Sequence, residues 1–139
     1  MKAGSSFLAL SNSDRLLVLR ALATLAFVRL ALGIVPLRWL RAWATRPGSG
    51  AQSVGRITWA VSACTRRLPG STCLVSAFAL QRILSREGHA SELHIGVARR
   101  QAGLAAHAWV VCQGETLIGE TEMGDYAHLV AWRAVPDDD

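Results

Sequence analysis

The sequence is poor in lysine, aromatic residues and cysteine, and each shortage excludes a class of protein. Only one lysine stands among the 15 basic residues, and aromatic residues make up 6% of the chain. A nucleic-acid groove interleaves basic and aromatic side chains, so nucleic acid is not an expected partner. The three cysteines, Cys64, Cys73 and Cys112, form no even-numbered disulfide framework and have no zinc-site spacing. We therefore expect free thiols in a reducing cytoplasm, with no metal and no cofactor.

Long uninterrupted apolar runs are also missing. Arginines at positions 20, 29, 38 and 41 cut the stretch LLVLRALATLAFVRLALGIVPLRWLRAW. No run therefore approaches the roughly 20 residues that a membrane-spanning helix needs. The first residues lack the layout of a signal peptide. Because Arg20 and Arg29 lie on opposite faces of a helix, we expect no clean basic stripe and at most weak association with a membrane surface.

Acidic residues are nearly absent from the first part of the chain. Residues 1–86 hold one lysine and eleven arginines against Asp14 alone, which gives a net charge of +11. The remaining residues hold three arginines and nine acids, which gives −6. An arginine-rich half attracts anionic lipid or an acidic protein, and charge alone does not choose between them.

The N-terminal portion, residues 1–50, is predicted to be helical. Ser13 is a plausible N-cap with Asp14 in the first turn, and the helix should stop near Gly33. Pro36 is well placed to open a second, shorter helix. The segment RPGSGAQSVG that follows has the composition of a linker.

The rest of the chain, residues 56–139, belongs to the same single domain, 1–139, and is long enough to form a catalytic core. Helical spacing of apolar residues predicts a helix over Arg56–Arg67 with Cys64 in the core. Another helix runs from Cys73 to a stop at Gly88. The period then changes to strict alternation in SELHIGVAR, and AHAWVVCQGETLIGE reads as two strands about a Gln113–Gly114 turn. Helices followed by antiparallel strands imply an α+β fold with a helix packed on a small sheet.

Cys73 is the first candidate for chemistry. Ser71 or Thr72 can cap its helix, which leaves the thiol among free N–H groups at the positive end of the helix dipole. That position favours the nucleophilic thiolate, and the same N–H groups could bind an oxyanion. A cysteine at such a position is nevertheless more often a packing residue, so the motif needs a base nearby.

His107 is the best of four histidines for that base. His89 is expected in a solvent-facing turn, His94 on an exposed strand face, and His128 has no identifiable partner. A two-residue turn would pair Cys112 with Glu115, Val110 with Leu117, and His107 with Glu120. A carboxylate there could orient the imidazole, as in a catalytic triad, although a rim salt bridge would look the same.

The ordered set TCLVSAFALQRILSREGHASELHIGVAR and AHAWVVCQGETLIGE resembles the B2 leader peptidases of lasso-peptide biosynthesis, the type that processes microcin J25. These are transglutaminase-like, papain-related cysteine proteases. The resemblance implies that Cys73 is the nucleophile and His107 the general base and acid. The family's third residue is usually an aspartate, where this chain has Gly119 followed by Glu120. We therefore assign Glu120, with Asp125 as the reserve candidate.

The resemblance also implies substrate and partners. The expected reaction is removal of the leader peptide from a ribosomally made lasso-peptide precursor. The expected partners are a separate leader-binding protein (B1, PqqD-like), the precursor peptide, and the ATP-dependent cyclase that acts next. A transglutaminase-like acyl transferase and a non-catalytic adaptor of the same fold remain alternatives, because sequence does not separate water from an amine as acceptor.

Overall fold

A computed structural model describes residues 11–50, 52–67, 73–100, 103–118 and 127–134. Within these ranges four helices come first: α1 (Asn12–Leu32), α2 (Leu37–Ala44), α3 (Val54–Arg67) and α4 (Cys73–Arg86). Four strands follow: β1 (Ser91–Arg100), β2 (Gly103–Cys112), β3 (Glu115–Ile118) and β4 (Ala127–Ala134). The strands form one antiparallel sheet in the order β3-β2-β1-β4. The predicted α+β class, helices followed by a small antiparallel sheet, is confirmed.

Helix α1 begins two residues earlier than expected. The Oγ of Ser11 accepts a hydrogen bond from the N–H of Asp14 at 3.1 Å, so Ser11 is the N-cap. The prediction of Ser13 as the cap is wrong. Ser13 lies inside the first turn, and its hydroxyl accepts a hydrogen bond from Arg56 of α3. In the described part of the chain, no helix combines the length and the apolar character needed to cross a bilayer.

Helix α4 is the centre of the core. It packs against α1, α2 and α3 on one side and against β1 and β2 on the other. Its buried residues therefore occupy nearly its whole circumference: Val75, Ser76, Ala77, Phe78, Ala79, Leu80, Gln81, Ile83, Leu84 and Ser85. A helix enclosed in this way holds its first residue, Cys73, on a rigid support.

Gly88 ends helix α4 as the sequence predicts. Its φ of +84° is accessible to glycine without strain, and its N–H donates to the carbonyl of Ser85 at 3.0 Å. The N–H of His89 donates to the carbonyl of Leu84 at 2.8 Å, which completes a Schellman motif. The chain then turns directly into β1.

The glycine-rich segment between α2 and α3 packs against the end of α4 and is more than a linker. The N–H of Gly48 donates to the carbonyl of Ser85 at 2.9 Å. The N–H of Gln52 donates to Glu87 Oε1 at 3.0 Å, and its carbonyl accepts from His89 Nε2 at 2.7 Å. His89, expected to face solvent, is instead partly buried and hydrogen-bonded to this segment.

The β2–β3 hairpin confirms the predicted turn and corrects the predicted register. Gln113 and Gly114 have φ values of +55° and +80°, which is the geometry of a two-residue hairpin turn. Cys112 pairs with Glu115 as expected. A bulge then shifts the register, and Val110 pairs with Ile118 instead of Leu117. A bulge of this kind depends on packing, which the spacing of residues does not reveal.

Candidate active site

Cys73 is the first residue of helix α4, and its side chain is partly exposed. The other two thiols, those of Cys64 and Cys112, are buried. The predicted capping residues Ser71 and Thr72 lie outside the described residues. Among the three cysteines, Cys73 is thus the one that a substrate can reach.

The thiol of Cys73 contacts strand β2. The backbone N–H of Ala108 donates to Cys73 Sγ at a nitrogen–sulfur distance of 3.4 Å. A backbone N–H directed at sulfur is a donor suited to a sulfur that carries negative charge. Ala108 directly follows His107, and consecutive Cα atoms are about 3.8 Å apart. The fold therefore brings the backbone of His107 beside the cysteine, from a separation of 34 positions in sequence.

A second histidine lies in the same row of the sheet. Gly96 of β1 pairs with His107 on β2 and with His128 on β4, so the two histidines stand on either side of a glycine. Sequence reasoning gave His128 no partner because it missed strand β4. The short apolar run LVAW within the segment AHLVAWRA was the signal that could have found the strand.

The third residue predicted for the catalytic triad lies outside the described residues. Glu120 and the reserve candidate Asp125 both fall in the range 119–126. The register shift at Val110 and Val111 removes the regular pairing from which Glu120 was placed opposite His107. The choice of Glu120 stays a prediction, which now rests on its position next to Gly119, where the resemblance places the third residue.

A protein-family comparison matches residues 16–131 to the transglutaminase-like superfamily. The match covers most of the chain and includes Cys73, His107, strands β1 to β3 and the first part of β4. The chain belongs to this superfamily. Its fold is of the cysteine-protease and acyltransferase type, and the match also includes most of helix α1 and all of α2. No curated protein and no solved structure matches the chain significantly.

The other two thiols of this transglutaminase-like chain, those of Cys64 and Cys112, are buried and belong to the packing of the fold. Burial raises the pKa of Cys64, and the nearby Arg67 offsets part of that effect. Burial, and then the carboxylate of Glu115, raises the pKa of Cys112. The thiols donate to backbone carbonyls of Val18 and Ala90, respectively. Both are therefore protonated, buried groups near neutral pH.

His94 does not have the exposed position that the sequence predicted. Its Nε2 donates to Glu92 Oε1 at 3.0 Å, and its ring stacks on Trp109 with centroids 5.6 Å apart. The His94 side chain is only 18% exposed. Trp109 lies two residues after His107 on β2, so this pair fixes the strand next to the candidate base. Within the described ranges, no group of three or more potential ligands could hold a metal ion.

Proposed function

We propose that this protein is a cysteine peptidase that removes the leader peptide from a lasso-peptide precursor. The observation that carries the proposal is the contact between Cys73 Sγ and the N–H of Ala108, one residue after His107. Membership of the transglutaminase-like superfamily supports the same chemistry. The narrower assignment to leader removal rests on the resemblance to the B2 proteins.

The proposed reaction has two stages. Cys73 attacks the scissile carbonyl as thiolate, His107 holds the proton, and N–H groups at the start of α4 stabilise the oxyanion. The C–N bond breaks as His107 protonates the departing amine, and the leader remains on sulfur as a thioester. Water, deprotonated by His107, then releases the leader as a free acid. Glu120, or Asp125 in its place, orients the imidazole in this account.

The proposed partners follow from the resemblance. A separate leader-binding protein presents the precursor, and the ATP-dependent cyclase takes the released core peptide. The net positive first half of the chain is complementary to an acidic leader or partner.

The test is cleavage of the precursor in the presence of the leader-binding protein, followed by mass spectrometry. Wild type should yield two fragments, and Cys73→Ala should leave the precursor intact. Cys112→Ala is the matched control. It removes a free thiol that is buried, so this variant should still cleave the precursor. Cleavage by folded Cys73→Ala would reject the peptidase assignment at this residue.

Acyl transfer to an amine is the second candidate, favoured by the superfamily itself. The two reactions share the thioester and differ in the acceptor. Supplying a primary amine and weighing the leader fragment separates them: a free acid indicates a peptidase, and an amide indicates a transferase. If neither water nor the amine yields a product, the non-catalytic adaptor is the function that remains.

A further inference from the structure

Helix α1 is apolar on two faces, and only one of them belongs to the core. Leu17, Ala21, Leu25, Val28 and Ala31 are buried against the rest of the domain. The opposite side is also apolar and is open. A soluble helix with a single core contact normally carries polar residues on its outer side. The outer side of α1 therefore calls for a separate explanation.

We define the outer apolar face by six residues that run along α1 and across the start of α2. Their exposed fractions are 67% for Leu16, 51% for Leu19, 50% for Phe27, 68% for Leu30, 81% for Ile34 and 63% for Trp39. From Leu16 to Leu30 alone the face is about 21 Å long at 1.5 Å per residue. Exposed apolar surface of this extent marks an interaction site.

Arginines border this face on both sides. At 100° per residue, the apolar stripe of α1 lies between Arg20 on one edge and Arg29 on the other. These two arginines, expected to spoil a basic stripe, instead flank an apolar one. Arg38 adds a further charge on α2, and Asp14 is the only acid in residues 11–50. The surroundings of the face are thus positive, with Arg20 paired to Glu87 at 3.0 Å.

A pocket of about 630 Å³ opens between α1 and α2 at one end of the face. Phe27, Trp39 and Trp43 line it together with Arg38 and Arg46. Its size is that of a pocket for a small apolar ligand. Apolar walls with guanidinium groups beside them suit a molecule that is apolar at one end and anionic at the other.

The positive charge continues behind the pocket. The Arg82 guanidinium lies 4.8 Å from the ring of Trp43 and donates to the Trp43 carbonyl at 2.8 Å. Burial, followed by the charges of Arg86, Arg46 and Arg20, lowers the pKa of Arg82 to about 10. Arg20 is paired with Glu87, whereas an anion placed beside Arg82 and Arg46 would relieve the repulsion between their guanidinium groups.

We propose that the outer apolar face binds the surface of an anionic lipid bilayer. An apolar helix face with arginines at its edges and an exposed indole is the pattern of helices that lie in a membrane interface. A second copy of the chain would bring like charges together. A peptide partner normally forms about one hydrogen bond per 100–200 Å², whereas the exposed residues of the face carry no hydroxyl, amide or carboxyl group.

Binding in this way leaves Cys73 accessible. Arg82, which contacts α2, is nine positions after Cys73 on α4, and nine steps of 100° place the two side chains on opposite sides of the helix. The lipid-facing side and the thiol therefore point in different directions. The proposal goes beyond the peptidase function and does not depend on it.

The test is flotation of the full chain with vesicles. Wild type should float with an equal mixture of phosphatidylcholine and phosphatidylglycerol and should not float with phosphatidylcholine alone. The double variant Arg29→Glu/Arg38→Glu should weaken partition at least about tenfold, since each basic residue near the surface contributes to binding. Arg66→Glu/Arg67→Glu is the control, because it changes the net charge equally at exposed positions on α3.

The apolar contribution is tested by a matched pair of tryptophans. Trp39→Glu should abolish flotation, whereas Trp59→Glu on α3, where the indole is 41% exposed, should not. Circular dichroism checks that each variant is folded.

Two outcomes would overturn the proposal: failure of folded wild type to float, and equal loss in both arginine pairs. If wild type fails to float and instead binds a glutamate- and leucine-rich helical peptide through Trp39, the face is a protein-docking site.

Discussion

The Sγ of Cys73 lies 3.4 Å from the backbone nitrogen of Ala108, so helix α4 meets strand β2 one position after His107. This contact joins residues that are 35 positions apart in sequence. The buried helix fixes the thiol, and the central strand fixes the backbone of the histidine. The predictions below test each part of this arrangement.

Replacing His107 should remove the proposed general base and acid. We expect His107→Ala to lower kcat/KM for precursor cleavage by about 10²–10⁴-fold, the range typical of such proton transfer. His128→Ala is the comparison, since Gly96 separates the two histidines in the sheet. Its expected loss is less than about tenfold. A loss in His128→Ala as large as that in His107→Ala would contradict the assignment of the base.

Gly48 should be intolerant of a side chain. A Cβ at this position would lie 2.5 Å from the carbonyl oxygen of Arg86, which is backbone and does not yield easily. We expect Gly48→Ala to reduce the free energy of unfolding by about 1–3 kcal/mol in urea denaturation. Gly55→Ala is the control: nothing lies within 4 Å of its Cβ, and alanine favours the helix. An equal loss in both variants would show that Gly48 does not pack as described.

Helix ends and the turn could be predicted from sequence because local residues determine them. Pro36 begins a helix and Gly88, at a φ of +84°, ends one as their backbone preferences require, and α1 ends at Gly33 as expected. The observed cap is Ser11, whose Oγ accepts from the N–H of Asp14, and the expected cap Ser13 lies two residues later, so the cap was misplaced within one turn. Local chemistry therefore predicts the presence of a helix boundary more reliably than the residue at which the boundary falls.

Contacts between distant parts of the chain could not be predicted. The bulge at Val110 and Val111, the pairing of β4 with β1, and the cover over His89 all arise from packing across the domain. Cys73 was found because its helix-start motif is local. Its contact with Ala108 depends on where the sheet lies against α4, which no spacing reveals.

Glu87 should contribute to stability through its charge. Its carboxylate accepts a hydrogen bond from the N–H of Gln52 and pairs with Arg20 at 3.0 Å. We expect Glu87→Gln to lower the free energy of unfolding by about 1–3 kcal/mol, because hydrogen bonds to charged groups are the stronger ones. The exposed Glu115 offers the control Glu115→Gln, which should change it by less than about 0.5 kcal/mol. Equal unfolding midpoints for the two variants would argue against this role.

The measurement that tests the central claim most directly is the rate at which each thiol of the folded protein reacts with iodoacetamide near neutral pH. Peptide mapping after short exposure should show Cys73 alkylated at least about tenfold faster than Cys64 or Cys112. Those two are buried, and their raised pKa values keep them protonated. Fast labelling confined to Cys73, and absent from Cys73→Ala, is the predicted result. Labelling of Cys64 or Cys112 as fast as Cys73 would contradict the account, because Cys73 would then have no special reactivity.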